Sequence, residues 1–182
     1  MAADIIGFTT PFRHAYAGHG RFSYQPMTTP RNTQFRPYEQ ADQAALIALW
    51  QACDLTRPWN DPVGDIRQCL GNPSSALLVA EQRRRLCGSV MMGCDGHRGW
   101  VYYLAVEPGC RHLGIGRTLM ERAEQWLRRR DVPKIQALIR ADNLAVRGFY
   151  GRLGYRDSDI QLVEKWLDDS AGLAARAGGS AP

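Results

Sequence analysis

The residues best suited to chemistry lie in VEPGCRHLGIGRTLMERAEQWL, residues 106–127. Arg111 and Arg117 flank Gly114 and Gly116, and an amphipathic run follows. The first N–H groups of a helix lack intrahelical acceptors and therefore bind anions. Glycines let a ligand approach the backbone closely, and guanidinium groups add charge-assisted bonds. The spacing R-x-x-G-x-G thus reads as a phosphate loop. It is not a Walker loop: Gly109 and Gly114 are correctly spaced, but Ile115 stands where a lysine must reach the phosphates. Nor is it a dinucleotide fingerprint, because Leu119 takes the place of the third glycine. From this stretch alone, a glycine-rich helix start without a ligand stays open.

The elements that must carry this loop can be read from periodicity. TQFRPY is a short strand. Asp42 is placed to cap a helix with Leu46, Leu49, Trp50 and Cys53 on one face. DLTRPWNDP breaks that helix, and VGDIRQCL forms a second one, with Asp61 as its cap. SALLVAEQ and LCGSVMMGC read as strands joined at the first RRR, residues 83–85. Asp95-Gly96 signals a hairpin before the strand WVYYLAV. After the loop, Ile115, Leu119, Ala123 and Trp126 recur at helical spacing, up to the second RRR, 128–130. KIQALIR is a strand, and Asn143 caps a helix carrying Val146, Phe149, Tyr150 and Leu153, ended by Gly154. IQLVEKWL is expected as a closing strand. The order predicts a mixed α/β fold in which antiparallel strands precede an alternating portion.

Composition narrows the function. A chain of 182 residues with 45% hydrophobic content suits one domain. We expect a flexible extension over 1–33, with Met27 as an alternative start, a compact unit over 34–168 and a disordered tail over 169–182. No run approaches about 18 apolar residues, and the first residues lack a signal-peptide pattern, so no membrane association is expected. Five cysteines without a CxxC pair suit reduced thiols and a cytoplasmic location. Cys94 and His97 have C-x-x-H spacing but no second ligand pair, so no metal is expected. Net charge is +5, and 21 of the 23 basic residues are arginine, which favours an anionic partner. Nucleic acid is not expected, since the two arginine triplets fall at a hairpin turn and a helix C-terminus, where cations meet the dipole.

The stretches YYLAVEPGCRHLGIGRTLMERAEQWL and KIQALIRADNLAVRGFYGRLGY together resemble two successive motifs of the GNAT N-acetyltransferase superfamily. The likeness covers about residues 34–168. More narrowly, CDLTRPWNDP, DGHRG and YYLAV are similar to a small bacterial subgroup typified by YpeA. The resemblance implies a mostly antiparallel, six- to seven-stranded mixed sheet with about four helices, splayed at the coenzyme site. It implies acetyl-coenzyme A as co-substrate and direct attack by a primary amine in a ternary complex. Leu104, Ala105 and Val106 would pair with the pantetheine arm as an added strand would. The pyrophosphate would lie on the amides of Arg111, His112, Leu113, Gly114, Ile115, Gly116 and Arg117. Asn143 matches a position that contacts the coenzyme arm. It can cap its helix at the same time.

Tyr150 matches the family's general acid, which protonates the departing thiolate. Spacing alone reads it as a core tyrosine sharing a stripe with Val146 and Leu153. Glu107, Asp95 and His97 are candidate bases. Arg57 offers a fork for a carboxylate and Trp59 a flat apolar face in the segment that helps wall the acceptor site, although Arg57 could instead pair with Asp54. Leu138 stands where relatives that acetylate ribosomal-protein termini carry glutamate, which weakens a protein-terminus reading. The acceptor is expected to be a small amine or amino-acid-like molecule. The alternatives are a protein amine and a non-catalytic coenzyme-binding domain. Exposed strand edges would allow a homodimer.

Overall fold

The computed structural model describes residues 32–167, so the expected N-terminal extension and tail lie almost wholly outside the described residues. Five strands form one sheet in the order β1 (Thr33–Pro37), β2 (Ser75–Gln82), β3 (Arg85–Cys94), β4 (Gly99–Val106) and β5 (Ile135–Ala137). The first four are antiparallel neighbours, and β5 runs parallel to β4. Four helices flank the sheet: α1 (Gln43–Ala52), α2 (Pro62–Gly71), α3 (Ile115–Arg128) and α4 (Leu144–Arg152).

The expected strand count of six to seven is therefore corrected to five among the described residues. KIQALIR contributes only three strand residues, and residues 160–167 form no strand. The last segment has strand-like composition, but Val163 and Leu167 are 90% and 93% exposed. A strand needs a partner ladder as well as a suitable composition. The first RRR is a two-residue turn with Arg83 and Arg84 at φ 49° and 62°, the left-handed geometry that matches hairpin twist. Asp42 begins α1, but its carboxylate binds the Arg36 guanidinium at 2.7 and 2.8 Å and gives α1 no cap bond.

The sheet separates two apolar clusters. On one face Leu46, Leu49, Trp50 and Ile66 of α1 and α2 pack on Leu77, Val79, Met91 and Ala105. On the other, Ile115, Leu119, Met120 and Ala123 of α3 pack with Tyr150 on Val90, Met92 and Val101. Val101 and Ala105 are four apart in β4 and would share a face in a regular strand. They lie in opposite clusters because β4 carries a bulge: its pairing with β3 shifts between Ser89 and Met91, and Tyr103 takes φ 47°. One extra residue inverts the alternation and bends the strand. The bulge thus sets the direction of Leu104–Val106.

Candidate acyl-transfer site

Beyond the bulge, β4 loses its second neighbour. The β4–β5 pairing covers Gly99, Trp100 and Val101 and goes no further, so the two strands part at Tyr102. Strand backbone groups alternate sides. Since Glu107 N–H donates to the Cys87 carbonyl of β3, Leu104 and Val106 turn their N–H and C=O groups away from β3, into the gap. In that gap the Val106 carbonyl accepts a bond from Cys53 Sγ at 3.3 Å and a long one from Arg111 Nε at 3.4 Å.

The bulge is fixed by side chains. Ser89 Oγ donates to the Tyr103 carbonyl at 2.9 Å and accepts from Trp50 Nε1 at 2.9 Å. The Tyr103 ring stacks on Trp50, with centroids 3.9 Å apart and planes at 19°. A fully buried serine therefore replaces the ladder bond that the bulge removes.

The loop after β4 turns through Pro108–Cys110, passes His112 at φ 64°, and enters α3 from Gly114 at φ 83°. The first bond of α3 runs from Thr118 N–H to the Gly114 carbonyl at 3.0 Å. Among the described residues, the amides of His112 through Arg117 have no acceptor, which leaves six consecutive donors at a helix N-terminus, where the dipole is positive. Side chains of Arg111, His112, Leu113 and Arg117 are exposed, whereas Ile115 is buried and anchors the turn. Gly116 joins three elements: a Cβ there would touch Val106 of β4 and Phe149 of α4, each at 3.4 Å.

Asn143 caps α4, accepting from Val146 N–H at 3.1 Å. Tyr150 is 6% exposed and makes edge contacts with Phe149 and Tyr155, centroids 5.3 and 5.1 Å away. Burial pushes its phenol up to about 12. The structure thus gathers Val106, Arg111, Gly116 and Phe149 around the gap, with Tyr150 packed in the α3-side cluster, while Asn143 stands at the exposed start of α4.

The other candidates separate from this group. Arg57 gives both terminal nitrogens to Asp54, at 2.6 and 3.0 Å. Asp95 accepts the backbone N–H groups of His97 and Arg98 and the indole N–H of Trp100, and these bonds, that from Arg98 foremost, hold its carboxyl down to about 2. A carboxylate so satisfied has little capacity as a base. Glu107 accepts from Cys110 Sγ at 3.2 Å.

A cavity of about 630 Å³ opens between the α1–α2 segment, β4 and Leu138, lined in part by Asn60, Asp65, Tyr102 and Tyr103 but not by Arg57 or Trp59. Tyr103 Oη donates to Asp65 Oδ2 at 2.5 Å. Sequence reading missed Asp65: it is 38 residues from its partner, and its only local signal was an acidic residue in the first turn of α2.

The protein is thus a mixed α/β fold whose sheet splays beside a helix start with unpaired amides. The family model described as the acetyltransferase (GNAT) family matches residues 38–155, and the chain belongs to that family, as an acyltransferase. It is 45% identical over 137 residues to an acetyltransferase of Pectobacterium atrosepticum, covering 75% of this chain and 97% of that one. Among solved structures it is similar to the apo aminoglycoside 6′-N-acetyltransferase AAC(6′)-IG of Acinetobacter haemolyticus, at TM-score 0.63, 16% identity, 74% of this chain and 99% of that one. It is also similar to AAC(6′)-Iy in complex with the bisubstrate analog CoA-S-monomethyl-acetylneamine, at TM-score 0.65, 14% identity, and coverage of 75% and 99%. At such identities these two likenesses speak to the fold.

Proposed function

We propose that the protein transfers an acetyl group from acetyl-coenzyme A to a primary amine on a small molecule, within the YpeA-like part of the family and in the cytoplasm. The observation that carries this reading is the coincidence of six free amides, from His112 through Arg117, with the strand gap opened after Val101. The residues fit the coenzyme: the amides and Arg111 and Arg117 suit a pyrophosphate, and Leu104 and Val106 offer backbone groups to an amide-bearing arm. The weak thiol bond from Cys53 and the long bond from Arg111 to Val106 can be exchanged for a ligand N–H. When bound, the coenzyme supplies an activated acetyl thioester.

In this reading Tyr150 holds a proton for the sulfur that leaves. Its phenol, raised to about 12 by burial, stays protonated at neutral pH and is therefore a donor. A small acceptor is favoured over a protein by the 630 Å³ cavity, which falls within the size of small-molecule sites, about 300–1,000 Å³. The test is direct. Coenzyme A binding is measured by calorimetry, and thiol release is followed across a panel of amines and peptides. Thiol release that depends on a small amine supports the reading. Coenzyme binding with no amine-dependent release across the panel would leave a non-catalytic binding domain.

A further inference from the structure

The 630 Å³ cavity contains one carboxylate side chain. Of the residues lining it, Asp65 is the one carboxylate, and no Lys, Arg or His joins it; its polar neighbours Asn60, Gln68, Asn72, Tyr102 and Tyr103 carry amide or phenol groups. Elsewhere, Asp42 and Glu81 share Arg36, Asp54 holds Arg57, Glu124 holds Arg128 and Asp157 holds Arg147. Asp65 has no cationic partner among the described residues, and only its Oδ2 receives a hydrogen bond.

The single partner of the Asp65 carboxylate is a donor. Tyr103 donates its phenol proton to Asp65 Oδ2. Burial first, and then the bond to Asp65, lift that phenol far above its ordinary range, so its proton stays on the phenol oxygen and Tyr103 remains the donor. The donor is also immobile, because its ring is clamped on Trp50. Asp61, the N-cap of α2, adds a second negative charge acting on the same phenol. Tyr103 in turn precedes Leu104 in β4, so Asp65 stands one tyrosine side chain away from the strand gap.

We propose that Asp65 is the specificity-determining residue of the acceptor cavity and binds a second cationic pole, an ammonium or guanidinium, on a substrate whose primary amine is acetylated at the gap. This rests on the acetyl-transfer reading above and names its substrate class: amines bearing a further positive charge. A cation that meets Asp65 makes a charge-assisted hydrogen bond, roughly twice as strong as a neutral one. A neutral or anionic pole leaves Asp65 uncompensated.

The experiment uses three acceptors of matched length: 1,5-diaminopentane, 5-aminopentan-1-ol and 5-aminopentanoate. Their poles are cationic, neutral and anionic. At neutral pH we expect kcat/KM from thiol release to fall in that order, with the diamine favoured over the amino alcohol by at least about tenfold. Asp65→Asn, an isosteric change, is expected to bring that ratio to within about twofold of one, mainly through KM, while the dissociation constant for coenzyme A stays unchanged. Tyr103→Phe keeps the stack and removes the donor, and is expected to retain the diamine preference. The inference is overturned if the full-length protein prefers the amino alcohol or aminopentanoate, or if Asp65→Asn keeps the tenfold ratio.

If none of the three is acetylated, calorimetric binding of the same compounds to the coenzyme A-saturated protein decides it. Diamine binding at least about tenfold tighter than amino-alcohol binding, lost in Asp65→Asn, supports the inference. Equal binding sinks it. Failure of the acetyl-transfer reading shows differently, as absence of coenzyme A binding. In that case diamine and amino-alcohol titrations of the protein alone still read the cation preference, by the same two outcomes.

Discussion

Tyr150 is held by contacts that leave its oxygen without an assigned partner. Phe149 and Tyr155 fix the ring edgewise, and no described residue hydrogen-bonds the phenol. A core tyrosine kept only for packing would be matched by phenylalanine. We therefore predict that Tyr150→Phe leaves the coenzyme A dissociation constant within about twofold but lowers kcat about 10²-fold, the middle of the range for a general acid. Unchanged kcat with an active acceptor would remove Tyr150 from the reaction.

The same residue carries a pH signature. Its phenol rises from an ordinary 10.0 to about 12 in the fold, because burial disfavours the anion. Below pH 10 folded and unfolded chains are both protonated here, and the stabilisation is complete. As pH climbs from 10.0 toward about 12, unfolded chains ionise first and stability drains away. Urea denaturation midpoints of Tyr150→Phe should therefore fall less steeply across that window than those of the parent. Equal slopes would show that the phenol is not desolvated as the structure has it.

At the scale of elements, the site depends on one irregularity in β4 and one close approach of α3. Ser89 bridges Trp50 and the Tyr103 carbonyl across a sequence separation of 39 and 14 residues. Ser89→Ala leaves a buried indole N–H without an acceptor, at a cost of about 1–3 kcal/mol. It also frees the bulge. The expected result is a lower chemical-denaturation midpoint together with a weaker affinity for coenzyme A. A stability loss with unchanged affinity would separate the Ser89 bridge from the direction of Leu104–Val106.

Gly99 makes the second point. A Cβ there would sit 2.5 Å from Leu127 Cδ1, so Gly99→Ala must shift the buried Leu127 side chain. Overpacking of this kind costs about 1–3 kcal/mol and should appear as a lower melting temperature.

These two dependencies mark how far the sequence could be read. The loop and its helix were legible because their signal is local: glycine spacing, flanking arginines and a 3.6-residue apolar period. Asn143 as a cap and Asp95-Gly96 as a turn were legible for the same reason. The bulge was not, since WVYYLAV shows no interruption and the cause lies in Ser89 and Trp50, on other elements. IQLVEKWL misled because strand-like composition does not supply a neighbouring strand. The Asp65–Tyr103 pair was hidden by a separation of 38 residues, while the Arg57–Asp54 pair, local in sequence, was legible as one of two readings of Arg57.

Over the whole molecule, charge is divided along the gap. The loop before α3 presents Arg111 and Arg117, both exposed, beside free amides. The cavity on the α1–α2 side presents Asp65, with Asp61 near its partner. A net charge of +5 strengthens the first field and opposes the second. An anionic donor is thus drawn by the molecule as a whole and by its loop together, whereas a cationic acceptor is drawn by a local carboxylate against a repulsive background. The two should respond differently to salt.

Raising ionic strength from about 0.1 M to about 1 M shortens the Debye length from about 10 Å to about 3 Å. The exposed loop is screened strongly, so the coenzyme A dissociation constant should rise several-fold. Arg111→Ala should weaken binding by about tenfold at low salt and flatten that dependence. At the cavity, screening removes the general repulsion while the half-buried pair with Asp65 is screened less. The KM for a dicationic acceptor should accordingly change less than the coenzyme dissociation constant. Parallel titrations of both ligands at the two ionic strengths check this. A steeper salt dependence for the acceptor than for the coenzyme would mean that the acceptor is held by exposed charge rather than by the carboxylate in the cavity.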